Sequence, residues 1–154
     1  MKIVRILAVV GLLAAGLFAG VTPAAANGNY YLTSAISPFP SGWGSAEGSV
    51  DFTGKHKVFQ QGYAQDHCAG DGSGDGYGVY VRSRVIWGNG AYSEWSPWQG
   101  DSSGCADHTE GFVSSGFSNP DRNILRMEVQ LCLRDVQRND VINCDLASFR
   151  NQYI

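Results

Sequence analysis

Strict alternation of apolar and polar positions marks the second half of this chain. Over 124–135, Leu125, Met127, Val129, Leu131 and Leu133 share one parity, while Arg126, Glu128, Gln130, Cys132 and Arg134 share the other. A period of two belongs to a strand with one face on a core. The first set is therefore expected inside and the second outside. Residues 78–87 repeat the pattern, with Val79, Val81, Ser83, Val85 and Trp87 on one face and Tyr80, Arg82, Arg84 and Ile86 on the other. Gly88-Asn89-Gly90 follows. Asn and Gly tolerate positive φ, so a hairpin is expected there, with 91–99 as its return strand. Weaker patterns predict strands at 49–53, 57–65, 111–117 and 141–153. Turns are expected at Ser118-Asn119-Pro120-Asp121 and Arg138-Asn139-Asp140. No segment has helical periodicity, and the whole predicts an all-β, antiparallel β-sandwich.

The first 26 residues stand apart. Lys2 and Arg5 precede an apolar run from Ile6 to Val21; Thr22-Pro23 ends it and Ala24-Ala25-Ala26 follows. That order is the pattern of a secretory signal peptide, and the run is too short for a membrane span. The expected location is extracellular, with no stable membrane insertion after signal removal. Loss of 1–26 from 154 residues leaves one domain's length. It also removes Lys2 and Arg5, leaving nine basic residues against 14 acidic ones. This balance argues against nucleic acid as a partner, because phosphate binding needs clustered Lys and Arg.

Residues 27–48 read NGNYYLTSAISPFPSGWGSAEG, rich in Gly, Ser and Pro and carrying Tyr30, Tyr31, Phe39 and Trp43. Pro38 and Pro40 disfavour a central strand. The segment is expected to be an extended N-terminal arm whose aromatics anchor it to a protein partner, with 49–154 forming the sandwich.

Four cysteines, Cys68, Cys105, Cys132 and Cys144, allow three pairings. A Cys132–Cys144 bridge spans the final turn easily, and leaves Cys68–Cys105 to join two Gly-rich loops. Closing these loops is worth about 3 and 4 kcal/mol in the chain-entropy model. Neither pair has the spacing of a metal site.

Two Asp-His dipeptides flank the loop cysteines: Asp66-His67 and Asp107-His108. Brought together by a Cys68–Cys105 bridge, they could ligate a metal or exchange protons. The loop Asp71-Gly72-Ser73-Gly74-Asp75-Gly76 partly mimics a calcium loop, with Asp71 and Asp75 as oxygen ligands, but Arg82 stands where a bidentate Glu is required. Solvated loop residues account for both features, and no cofactor is expected. No nucleophile motif singles out a serine.

One patch has more definite chemistry. Tyr92-Ser93-Glu94-Trp95-Ser96-Pro97-Trp98 follows a strand that carries Arg82 and Arg84 on one face. Stacking of guanidiniums on Tyr92, Trp95 and Trp98 is expected, at about 0.5–2 kcal/mol per contact. The region from Tyr80 to Trp98 locally resembles the arginine–tryptophan ladder of animal cytokine-receptor fibronectin type III domains, with Tyr92 in place of the first Trp. The resemblance implies a β-sandwich and a stacking ladder; receptor function does not follow, since further strands occur where that fold would end. Sheet packing and sugar binding by Trp95 or Trp98 are rival uses of the same rings.

The signal ending TPAAA, the NYYLTSAISPFPSGW segment, the four-cysteine body and the GVYVRSRVIW strand together resemble the adaptor subunits of umbrella-shaped toxin particles secreted by filamentous Gram-positive bacteria. The resemblance implies a noncatalytic bridge between a lectin-like subunit and a large repeat-bearing subunit. The expectation is thus a secreted, noncatalytic protein-binding module. A carbohydrate- or calcium-binding module, a small metal-dependent enzyme and a hydrolase inhibitor are the alternatives.

Overall fold

Eight strands form two four-stranded antiparallel sheets. The computed structural model describes residues 27–35, 42–67, 76–101 and 111–154. The strands are β1 (Gly28–Ala35), β2 (Trp43–Phe52), β3 (Lys57–His67), β4 (Tyr77–Trp87), β5 (Gln99–Asp101), β6 (Gly111–Ser118), β7 (Ile124–Asp135) and β8 (Asp140–Arg150). One sheet has the order β1-β2-β3-β6 and the other β5-β4-β7-β8. Their inner faces enclose one core, in which Val79, Val81 and Val85 of β4 and Met127, Val129, Leu131 and Leu133 of β7 meet Val50, Phe52, Val58 and Val113 of the facing sheet. The expected β-sandwich is the observed fold, and the inward parity of β4, and of β7 from Met127 onward, is the one predicted. At the start of β7 a register shift opposite Ile86/Trp87 puts Ile124 in the core and leaves Leu125, expected inside, half-buried.

Four further expectations need correction. Residues 27–48 do not form an unpaired arm. Gly28–Ala35 is an edge strand in full register with β2, and β2 runs through the boundary placed at 48/49. Pro38, Phe39 and Pro40 lie outside the described residues. Tyr30 is 5% exposed and packs edge-on to Phe149, so it is a core residue and not a partner anchor. The 91–99 return strand shrinks to a single bridge, Ile86 to Tyr92, followed by short β5. On β7, Glu128 and Cys132 are buried despite their outward parity, because the outer face of this sheet is itself covered.

Turn chemistry accounts for the connections. The chain turns at 88–90 with Gly90 at φ 82°, and Trp87 N–H donates to the Ala91 carbonyl at 2.8 Å. Asn139 takes φ 58° between β7 and β8, a position that Asn tolerates through its short polar side chain. The Cys132–Cys144 disulfide joins directly paired residues of those strands, as expected. Cys68 and Cys105 lie outside the described residues.

A hydrogen-bonded line runs through the core from one sheet to the other. Gln60 Nε2 donates to the Tyr30 hydroxyl at 2.5 Å, and Ser115 Oγ donates to Gln60 Oε1 at 3.1 Å. Ser115 then meets Ser83 of the opposite sheet, hydroxyl to hydroxyl. Tyr30 fits only because Gly48 and Gly62 lie beneath it. A Cβ at Gly62 would come 2.7 Å from the Tyr30 hydroxyl and 2.1 Å from the Glu47 carbonyl oxygen. Gly62→Ala is therefore expected to cost about 1–3 kcal/mol in urea unfolding, as overpacking does; a stability equal to the native protein's would show that the sheet yields there.

Burial pushes the Tyr30 phenol up to about 12, against a smaller opposing effect of the Gln60 hydrogen bond. Above pH 10 the unfolded phenol ionises while the folded one stays neutral. Stability from this group is thus complete below pH 10 and lost as pH rises to about 12, on the order of 2–3 kcal/mol. Tyr30→Phe should lower stability by about 1–3 kcal/mol at pH 7, where it strands the buried Gln60 amide. The gap to the native protein should then close between pH 10 and 12; a constant gap in denaturation at each pH would contradict this.

Candidate functional site

The two outer faces of the sandwich carry aromatics in opposite circumstances. On the β5-β4-β7-β8 sheet they are occupied. Residues 92–98 run along the β4 edge with a three-residue period, the period of polyproline II. Ser93 N–H donates to the Val85 carbonyl and Ser93 Oγ accepts from Val85 N–H, at 2.9 and 3.0 Å. Ser96 repeats the clamp on Ser83, at 2.7 and 2.9 Å. Two serines three apart thus grip two strand residues two apart, and the rings one position before and two after each serine are turned over the sheet.

Those rings interleave with guanidiniums. Arg84 lies 4.1 Å from the Tyr92 centroid and 4.3 Å from Trp95. Arg82 lies 4.5 Å from Trp95 and 4.1 Å from Trp98. Arg134 lies 5.0 Å from Trp98 and 5.2 Å from Tyr80. The order is Tyr92, Arg84, Trp95, Arg82, Trp98, Arg134, Tyr80. Cross-strand partners fix the arginines from below: Arg84 Nε donates to Glu128 and Arg82 Nε to Gln130, both at 2.8 Å and both between register-paired residues. Arg134 donates to Asn139 in the β7–β8 turn. Partial burial holds the Arg82 guanidinium below its usual range, and the like charges of Arg84 and Arg134 add to that. The expected aromatic and arginine patch is therefore assembled, with Arg134 and Tyr80 as rungs not foreseen. The ring faces of Trp95 and Trp98 that a sugar would need are taken by guanidiniums.

On the β1-β2-β3-β6 sheet the outer aromatics are open. Tyr31, Glu47, Tyr63 and Phe112 stand in one row, each paired in register with the next, across all four strands. Tyr31 is 64% exposed, Tyr63 46% and Phe112 59%. Tyr63 and Phe112 meet edge to face with centroids 5.6 Å apart. A groove of about 510 Å³ lies on one side of the row, lined by Asn29, Ser49 and Gln61 with Glu47, Tyr63 and Phe112. A smaller one of about 160 Å³ lies on the other, lined by Ser45, Gln65 and His67 with Tyr31, Glu47 and Tyr63. Of the expected anchors, Tyr31 is thus available. Trp43 is half-buried, its ring stacked on His67 at 3.8 Å between centroids. Glu47, Tyr63 and Phe112 were not singled out from the sequence. The signal was present in β3, where Phe59 and Tyr63 share the parity of Lys57, Gln61 and Gln65 and so face outward.

Asp66 and His67 leave opposite faces of β3, as consecutive strand residues do. Asp66 is buried, its N–H donating to the Asp101 carboxylate at 3.3 Å. His67 stacks outside on Trp43, with Ser45 Oγ 2.8 Å from its Nε2. Among the described residues no group of three or more His, Cys, Asp or Glu side chains could hold a metal ion. Asp71, Asp75, Asp107 and His108 lie outside the described residues.

No family model, curated protein or solved structure matches this chain.

The ladder yields a direct expectation. Arg82→Lys keeps a positive charge but loses the planar group that stacks on two rings, and should cost about 1–3 kcal/mol in urea unfolding. Tryptophan emission should shift to the red as Trp95 and Trp98 gain water. Unchanged stability with unshifted emission would show that the stacked rungs contribute nothing.

Proposed function

We propose that this chain is an exported, noncatalytic binding module that works through the outer face of its β1-β2-β3-β6 sheet. The observation that carries this reading is the row Tyr31–Glu47–Tyr63–Phe112, large rings left open to solvent on a rigid sheet. Exposed aromatics grouped on one face mark interaction surfaces. The leader pattern of residues 1–26 and the Cys132–Cys144 bridge support an extracellular setting.

A bridging role of the adaptor kind needs a second surface for a protein partner. The β7–β8 hairpin supplies one: Val136, Val141, Ile142 and Leu146 are all exposed there. The two surfaces lie on different sheets, so one body could hold two partners.

Recovery of partners from the culture medium of the producing organism tests this, with three forms of the protein as bait. Native protein should recover partners. The variant Tyr31→Ala/Tyr63→Ala/Phe112→Ala should lose those bound at the sheet face, and Val141→Lys/Leu146→Lys those bound at the hairpin. Circular dichroism confirms that each variant is folded. Identical recovery by all three forms would overturn the reading.

A further inference from the structure

We infer that the open face of the β1-β2-β3-β6 sheet is a binding site for a neutral pyranose chain; this rests on the reading of that face as the working surface. Three observations fix the ligand class.

The first is spacing. Tyr31 and Tyr63 lie in one register row with Glu47 between them. They are two strands apart, about 9.6 Å, close to the length of two linked pyranose units. Each exposed ring offers a flat apolar platform for the C–H face of one sugar, the two stacked sugars being next but one in the chain, and the carboxylate between the rings meets the hydroxyls of the sugar between them. The edge-to-face contact with Phe112 fixes the orientation of Tyr63.

The second is the polar lining. Asn29, Glu47, Ser49 and Gln61 line the larger groove, and Gln65 lines the smaller one. Among the described residues, the side chains of Asn29, Glu47, Gln61 and Gln65 make no hydrogen bond to the protein. Amides and a carboxylate present paired donors and acceptors, which suits vicinal hydroxyls. A protein partner of ordinary kind would instead meet a contiguous apolar centre. Here Glu47 separates Tyr31 from Tyr63, and polar side chains flank the row on both sides.

The third is charge. Among the described residues no Lys or Arg lines either groove, and Glu47 is the one carboxylate lining them. Uronates, sulfated sugars and phosphate-bearing polymers would meet a negative group with no lysine or arginine to offset it; the one ionisable base in either groove, His67, is stacked on Trp43. The nearest lysine, Lys57, has its ammonium over the Phe59 ring at 4.7 Å, and neither residue lines the grooves. The site therefore favours uncharged glycans.

Affinity electrophoresis of the purified protein tests the assignment, with hydroxyethylcellulose, xylan, galactomannan or glycol chitin in the gel as neutral probes and polygalacturonate as the anionic one. At least one neutral polymer should retard the protein, and polygalacturonate should not. Tyr63→Ala should weaken the retarding interaction about tenfold, as loss of a stacking ring does. Glu47→Gln should weaken it less, because the amide keeps the shape and one acceptor. Tyr153→Ser, which removes an exposed ring past the end of β8 that lines neither groove, should leave it unchanged. No retardation by any of the four neutral polymers overturns the glycan assignment; the binding-module reading is judged separately by the loss of partners from the triple-alanine bait. Retardation that survives Tyr31→Ala/Tyr63→Ala overturns the location. Stronger retardation by polygalacturonate overturns the charge argument.

Discussion

Three arginines on one sheet face would repel one another, and the interleaved rings of Tyr92, Trp95, Trp98 and Tyr80 turn that liability into a cover. Each guanidinium sits between two π faces, and Arg82 and Arg84 are also held by hydrogen bonds to the neighbouring strand. The cover explains why Glu128 and Cys132, on the outward parity of β7, are buried. It also decides which face of the molecule is open. With the outer side of β4 and the adjoining part of β7 roofed by residues 92–98, the opposite sheet carries the exposed row of rings.

The body behind that face is tied at its corners. On one side the Gln99 side-chain amide donates to the Ser114 carbonyl and accepts from the Ser114 N–H, both at 2.7 Å, standing in for a strand residue between edges β5 and β6. On the other, Asp145 accepts from Thr33 N–H at 3.3 Å and Asn143 Nδ2 donates to the Ala35 carbonyl at 3.1 Å, joining edges β8 and β1. Edge strands are otherwise templates for unwanted pairing. Side chains occupy them here, and the line Tyr30–Gln60–Ser115–Ser83 crosses the interior between the same sheets.

Alternation made β4 and β7 legible because one side of each meets a core that is apolar but for the Ser83–Ser115 contact. The same reasoning missed β1 and the first part of β2, where Gly, Ser, Ala and Asn are frequent. Physical contact explains why. Gly44 packs so closely on Val79 that a Cβ would lie 2.0 Å from Val79 Cγ2, and Gly48 and Gly62 make room for Tyr30. Glycines required by close packing look, in one dimension, like loop residues. Residues 92–98 misled in the other direction: their ring spacing is three, which a two-residue template reads as an imperfect strand. The chemistry of that segment was nevertheless legible, since Arg82 and Arg84 had to share a face and the rings had to lie near it. The open row was not legible. It depends on the register of four strands, and Phe112 is far from Tyr31 in sequence while standing in its row.

The closed corners bear on how this molecule can recognise anything. Strand addition needs a run of unpaired backbone groups at an edge. The described contacts engage β1 at Thr33–Ala35 through β8 and β6 at Ser114 through β5. Recognition by a sheet held in this way falls to side chains on its face, of which Tyr63 is held against Phe112 before any partner arrives. Preorganisation of that kind lowers the entropy lost on binding. Tyr63, pinned by Phe112 on a central strand, then offers a fixed surface, and Glu47 beside it contributes a charge whose place is set by the strand register alone. A short flat ligand that needs two platforms and a few hydroxyl partners matches such a face better than a partner that must remodel it.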